Sequence, residues 1–273
     1  MHRRFAFLLP ALLATASGCS SAPPADAVGS SRAAVTSSPY VQLKYAVATD
    51  TELSLMGGQE QESLYAVGVI EVANVAYQKS VVVHYQGPSG WVDVNANYLG
   101  PSPSNAGNEL WSFRTGAYPF LPQYSGEAIS FAVEYTVNGI TAWDNNGGAN
   151  YIVGTFGGDG VAEPPVALGE DNLHVSDDQL VSGANGMAFS GHVVLKNLAY
   201  DKVVRVVFST DDWATTQTVA ATYAGSVPGG LESWAFSENL PASVTQVQFA
   251  VSYAVNGATY WDNNLGANYV VLP

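Results

Sequence analysis

Residues 131–151 read FAVEYTVNGITAWDNNGGANY and residues 249–269 read FAVSYAVNGATYWDNNLGANY, identical at 16 of 21 positions. The likeness reaches upstream. Asn74-Val75-Ala76-Tyr77-Gln78-Lys79 is answered by Asn197-Leu198-Ala199-Tyr200-Asp201-Lys202, and the six tryptophans pair off as Trp91 with Trp213, Trp111 with Trp234 and Trp143 with Trp261. Val41-Gln42-Leu43 stands about as far ahead of its asparagine as Val166-Ala167-Leu168 does, so these read as the matching first strands. Repetition at this period means one structural unit of about 110 residues written twice. The expected layout is a first domain over residues 40–155, a Gly- and Pro-rich linker over 156–165 and a second domain over 166–273.

Both copies read as strands. Ile129, Phe131, Val133, Tyr135 and Val137 alternate with Ser130, Ala132, Glu134 and Thr136, the period of a half-buried antiparallel strand. Asn138-Gly139 and Asn256-Gly257 follow, the pair that a type I′ hairpin turn favours because both central residues need positive φ. No useful window shows helical periodicity. The fold class is therefore all-β, with an antiparallel sandwich in each copy. A two-residue loop sets Glu134 opposite Trp143, Thr136 opposite Thr141 and Ser252 opposite Trp261. Opposed residues share a face, so Trp143 and Trp261 are expected to be at least half exposed. Trp111 alternates with Phe113, and Trp234 with Phe236, and both read as core.

The chain holds 23 acidic against 9 basic residues, a formal charge of −14, and only 12% of its residues are charged. That field repels phosphate backbones and argues against nucleic-acid binding. Arg3 and Arg4, an apolar run and a small-residue exit at Cys19 read as a secretory leader over residues 1–18. Ala16-Ser17-Gly18-Cys19 is similar to a bacterial lipobox, so Cys19 is expected to carry lipid, with a free thiol as the alternative; it cannot form an intramolecular disulfide, being the only cysteine. Residues 19–39 are rich in Ser, Ala and Pro and read as a flexible tether. The expected location is the bacterial envelope, at the outer membrane or cell surface, with the lipid as the only membrane contact.

An exposed indole beside side-chain amides suits a neutral sugar. The C–H face of a pyranose stacks on the ring, while asparagine supplies a donor and an acceptor for hydroxyl pairs. Asp144-Asn145-Asn146 with Asn150, and Asp262-Asn263-Asn264 with Asn268, place such groups after each tryptophan. The same residues also read as ordinary turn formers.

Trp-Asp-Asn-Asn-x-Gly-x-Asn-Tyr after an Asn-Gly hairpin, preceded by Lys-Asn-Leu-Ala-Tyr-Asp-Lys-Val-Val-Arg-Val and Asp-Asp-Trp, resembles carbohydrate-binding module family 21. That family includes the starch-binding domain of fungal glucoamylases and the glycogen-targeting subunits of protein phosphatase 1. The resemblance covers both halves and fits the second better. It implies immunoglobulin-like β-sandwiches that bind α-1,4-glucan without cleaving it and need no cofactor. It assigns Trp213, Trp261, Asn263 and Asn268 to the principal site, and Trp91, Trp143, Asn145 and Asn150 to its counterpart. It assigns Tyr77 and Tyr200 to a second face, unless they only pack a loop. Some members carry a binding aromatic where Ala132 and Ala250 stand, and Gln86-Gly87-Pro88-Ser89-Gly90 replaces the acidic stretch, which would displace Trp91.

Other functions fit less well. Glycoside hydrolysis needs two carboxylates flanking the bond, whereas one acid per copy, Asp144 or Asp262, repeats with the motif. His84, His174 and His192 form no repeated triad or metal set, and the Asp144 loop lacks the closing Glu of a calcium site. Arg205-Val206-Val207-Phe208 matches a phosphatase docking string but alternates as an internal strand. A structural or adhesive surface protein without glucan binding remains the rival, and no protein partner is indicated.

Overall fold

In a computed structural model of the chain, the described residues are 38–55, 59–87, 89–120, 128–154, 164–184 and 186–273. The leader, Cys19 and most of the tether and linker lie outside them. The first half runs β1 (Val41–Leu55), β2 (Gln59–Ala73), β3 (Lys79–Gly87), β4 (Gly90–Asn95), β5 (Asn97–Pro101), β6 (Asn108–Arg114), β7 (Tyr118–Phe120), β8 (Ala128–Val137), β9 (Ile140–Asp144) and β10 (Tyr151–Gly154). The second runs β11 (Val166–Leu168), β12 (Leu173–Gly183), β13 (Gly186–Lys196), β14 (Lys202–Ser209), β15 (Gln217–Ala220), β16 (Thr222–Val227), β17 (Leu231–Leu240), β18 (Val247–Val255), β19 (Ala258–Asp262) and β20 (Tyr269–Val271). They form two tandem β-sandwiches from four antiparallel sheets.

Each sandwich closes on its own core. In the first, Leu43, Leu64 and Ile70 from one sheet meet Val83, Phe131 and Tyr135 from the other. In the second, Phe189 packs at tilted or edge-on angles among Phe208, Phe236 and Phe249, with centroids 5.1–5.5 Å away. Tyr135 and Tyr253 lie deep in the cores, yet each hydroxyl donates to a main-chain carbonyl just ahead of the repeated asparagine, Ala73 at 2.6 Å and Lys196 at 2.9 Å. A phenol can enter an apolar core because its one polar atom finds a partner.

The hairpins have the expected register. Val137 faces Ile140, Glu134 faces Trp143 and Ser252 faces Trp261. Asn138 and Asn256 take φ of 49° and 51°, and Gly139 and Gly257 follow at 74° and 76°, as a type I′ turn demands.

One expected match is corrected. Leu173, not Val166, fills the place of Val41: Leu173 pairs Leu195 as Val41 pairs Val72, each two residues ahead of its repeated asparagine. Val166–Leu168 instead pairs β1 at Tyr45–Val47 as the outermost strand of the first sandwich's sheet, and Ala167 packs in the first core. Three apolar residues fit an edge in either copy, and only the open edge of β1, over a hundred residues upstream, decides between them.

The described end of the linker is tied down too. Gly154 N donates to Pro164 O and Ala48 N to Pro165 O, both at 2.9 Å. Beyond β11 the turn is held against β1 by Gly169 N on Lys44 O at 3.0 Å and Glu170 N on Leu43 O at 2.6 Å. Lys44 is buried here with Asp171 at 2.8 Å, Glu170 at 3.4 Å and Glu71 at 3.9 Å. Burial works to lower its pKa, but the three carboxylates outweigh it and hold the ammonium above its ordinary value. A Cβ on Gly169 would run into the Leu43 carbonyl, so main chains approach here as only glycine permits. Gly169→Ala is expected to cost about 1–3 kcal/mol by overpacking, read as a lower midpoint in urea unfolding.

Candidate functional site

Trp261 stands on β19 opposite Ser252 with 56% of its surface exposed. The next residue, Asp262, turns the other way and anchors the loop. Its Oδ2 accepts from Val175 N at 2.9 Å and Tyr269 Oη at 2.8 Å, and its Oδ1 accepts from Asn264 N at 3.2 Å. His174 Nδ1 lies 3.4 Å from Oδ2. Burial would raise this carboxyl's pKa, but His174, the Tyr269 hydroxyl and the Val175 amide together bring it below the ordinary range. Tyr269, buried against that carboxylate, is pushed far above the ordinary phenol range and stays a donor.

The loop that follows is a short 3₁₀ turn over Asn264–Gly266 with strained backbone. Asn264, Leu265 and Asn268 have φ of 51°, 58° and 59°, a region asparagine tolerates and leucine avoids. Asn263 Oδ1 accepts from Gly266 N at 3.0 Å, and its carbonyl takes Asn268 N at 2.7 Å. Asn264 Nδ2 donates to Asn268 O at 3.2 Å. Asn263 thus commits both its Oδ1 and its carbonyl oxygen to the turn. Its Nδ2 and the Asn268 side chain are in no described hydrogen bond, so each is held on a fixed backbone with polar atoms to offer. Local pinning of this kind reduces the ordering entropy that binding would otherwise cost.

Trp213 arrives by a different route, in the loop between β14 and β15. Ser209 Oγ accepts from Trp213 N at 2.9 Å and donates to Asp211 Oδ1 at 2.7 Å, and Asp211 accepts from Thr215 through N at 2.9 Å and Oγ1 at 2.7 Å. Asp212 ties the loop to β18 through Gln248 Nε2 at 2.9 Å. Trp213 has φ of 67°, an outlier for a bulky residue that such a network can hold in place. Gln248 and Ser252 lie on one side of β18, so Trp213 and Trp261 are carried near the two ends of a stretch about 13 Å long at ~3.3 Å per residue.

The first sandwich repeats the anchor and alters the platform. Asp144 accepts from Leu43 N at 2.6 Å and from Tyr151 Oη at 2.9–3.0 Å. Asn145 Oδ1 accepts from Gly148 N at 3.0 Å, and Asn150 has φ of 60°. Trp143, however, is only partly exposed, which corrects the expectation of half exposure. The His84 ring lies 4.7 Å from it, centroid to centroid, where the second copy has Val207. His84 is itself set between Asp93, 2.6 Å from Nδ1, and Glu134, 3.4 Å from Nε2. Trp91 is displaced, as the Gln86–Gly90 replacement of the acidic stretch implied: it is in β4 opposite Gln86, 54% exposed, whereas Trp213 is on a loop.

A second surface lies on the other side of each hairpin. Tyr77 and Tyr200 are 99% and 96% exposed, so neither packs a loop. In the second sandwich Tyr200 lines an open groove of about 1250 Å³ with Tyr223, Trp234, Lys202 and Glu232. Trp234 is half-buried rather than core: it leans on the core, meets Tyr223 edge-on at 6.1 Å, and donates from Nε1 to Glu232 at 3.0 Å. Lys202 pairs with Glu232 at 2.7 Å. Trp111, Tyr98, Glu109 and Lys79 repeat the arrangement in the first. The sequence reading missed Tyr98 and Tyr223, although the matching of the two copies could have found them.

Each of the two tandem β-sandwiches thus sets a hairpin tryptophan beside an amide loop pinned from below. Residues 48–154 and 169–272 match the carbohydrate/starch-binding module of family 21, and the chain belongs to that family. Glucoamylase 1 of Rhizopus oryzae is 40% identical over 92 residues, 32% of this chain and 15% of that protein. Protein phosphatase 1 regulatory subunit 3C-B of Danio rerio is 38% identical over 88 residues, 30% of this chain and 28% of that protein. The chain thus spans less than a third of the length of these curated relatives. The starch binding domain of Rhizopus oryzae glucoamylase, solved in complex with β-cyclodextrin and maltoheptaose, aligns at 30% identity over 37% of this chain and 92% of that chain, with a TM-score of 0.30.

Proposed function

We propose that the chain is a non-catalytic α-1,4-glucan-binding protein, holding a starch- or glycogen-like polymer through its two sandwiches. The observation that carries this reading is Trp261, more than half exposed on a sheet and followed by asparagines whose backbone is fixed before any ligand arrives. The acids repeated with the motif are taken up as loop anchors, each accepting from a main-chain amide and a tyrosine, a structural role that does not suit acid–base chemistry. Arg205–Phe208, the segment similar to a phosphatase docking string, has its main chain paired with β15 on one side and β18 on the other, which speaks against its docking a partner as a strand.

The leader and Cys19 extend the proposal to an exported protein anchored by lipid to the bacterial envelope. Two sites on one chain make the second engagement with a polymer intramolecular, a gain of ~10²–10⁴ in avidity when the geometry allows it. The test is retention of the chain on insoluble starch against cellulose, chitin and xylan, with maltoheptaose as competitor. Retention on starch alone, reversed by maltoheptaose, is expected. Failure to bind any of the four polymers would shift the reading to a structural or adhesive surface protein. In the same assay Tyr200→Ala should weaken retention without lowering stability, because the side chain is 96% exposed.

A further inference from the structure

The anchors of the two binding loops meet at the junction between the sandwiches. A β-bulge interrupts β1 between Leu43 and Tyr45, and the matching bulge interrupts β12 between Val175 and Asp177. In each copy the residue just before the bulge gives its amide to the loop aspartate: Leu43 to Asp144 at 2.6 Å and Val175 to Asp262 at 2.9 Å. The residue just after it in the first copy, Tyr45, faces the second sandwich. Its ring stacks on His174 with centroids 3.8 Å apart and planes 21° from parallel. His174 is buried, lies 3.4 Å from the Asp262 carboxylate and meets the Tyr269 ring edge-on at 6.5 Å. A path therefore runs from Asp144 to Leu43 by a hydrogen bond, along the main chain of the bulge to Tyr45, and by direct contacts from Tyr45 to His174 and Asp262. A bulge re-aims neighbouring side chains, and this one lets two residues serve both loops.

The matching positions show that this is no general property of the fold. Gln42 occupies in the first copy the place of His174 in the second, by register with the strand that follows. Among the described residues the stack occurs once, and it joins the first sandwich to the second site. Tyr45 also lies close enough to Asp262 and Asp171 that burial and these two carboxylates push its hydroxyl up to about 12.

We propose that Tyr45 of the first sandwich is a positioning residue for the loop that follows Trp261, so that the second site is shaped partly by its neighbour and both sites are held in one fixed relation. The affinity consequence rests on the glucan reading above, and the mechanical consequence does not. Both are measured on the full chain carrying Trp143→Ala, so that the second site reports, with Tyr45→Ala, Tyr45→Phe or His174→Gln added. In ligand-free protein, Tyr45→Ala should speed amide hydrogen exchange at Asn264, Gly266 and Asn268 about three- to tenfold, the worth of one aromatic pair. Phe249 and Val251 in β18 should be unchanged, and Tyr45→Phe, which keeps the ring, should restore the parent rates. Maltoheptaose affinity should fall by a similar factor in Tyr45→Ala and recover in Tyr45→Phe. Should Tyr45→Ala fail to fold, His174→Gln loosens the stack from the other side using the residue the first copy carries.

Unchanged loop exchange in the loosened variants would overturn the proposal. So would equal acceleration in Tyr45→Phe, or acceleration that includes the β18 amides and so reports general destabilisation. Selective loop acceleration in a protein that binds no maltoheptaose would uphold the coupling and remove the glucan reading instead.

Discussion

Trp261→Ala is expected to weaken maltoheptaose binding at the second site by about 2 kcal/mol or more, roughly 30-fold, the scale of a central aromatic anchor. Trp143→Ala is expected to cost less. The two indoles stand at matching places on the corresponding hairpin of each copy, Trp261 opposite Ser252 and Trp143 opposite Glu134. Trp261 is 56% exposed and able to take a sugar ring on its face. Trp143 shares its surroundings with His84, 4.7 Å away, which competes for part of that face. The double variant should lose retention on starch, and Trp261→Ala alone should keep the parent unfolding midpoint, because a residue more than half exposed contributes little to stability. Titration calorimetry of the single variants and affinity electrophoresis of the double one provide the check. Retention of the double variant equal to that of the parent would rule out the hairpin tryptophans as the platform.

Asp262→Ala should be the most damaging single change to stability among these residues, by about 3–5 kcal/mol, because it strips buried donors of their charged acceptor. The Val175 amide and Tyr269 hydroxyl would be left without it, and the Asn264 amide would lose its acceptor. Asp262→Asn keeps one acceptor oxygen and should cost less. The carboxyl has a folded pKa below its ordinary value, so the folded state binds its proton less readily than the unfolded one. Its contribution is thus complete above the unfolded value of about 3.9 and is lost as pH falls through the lower folded value. Urea midpoints measured from pH 7 to pH 2 should show an acid-labile component in the parent chain that Asp262→Asn lacks. An unchanged acid limb in that variant would refute the assignment.

Much of this was legible because it is local. Asn138-Gly139 and Asn256-Gly257 set the hairpin turns, alternation set the faces, and register then placed Trp143 and Trp261 without reference to the rest of the chain. What escaped depends on partners distant in sequence. His84 reaches Trp143 across an intervening strand, and nothing in HYQGPSGW reveals a ring destined for that position. Val166–Leu168 carries no sign of which sandwich it joins, since its partner is the Tyr45–Val47 edge. The groove beside Tyr200 escaped for another reason: the alternation of Trp234 with Phe236 reads as core, whereas Trp234 is half-buried and meets Tyr223 edge-on in the groove wall.

The strand between the modules has a consequence for any attempt to separate them. A sandwich cut at the end of β10 would lose Ala167 from its core and expose the bare main chain of β1 at Tyr45–Val47, a template on which another copy could add a strand. Val166–Leu168 blocks that edge from within the same molecule. The segment that joins the two modules therefore also guards the first against self-association, and a first module cut out on its own needs both that strand and the turn through Asp171 that holds Lys44.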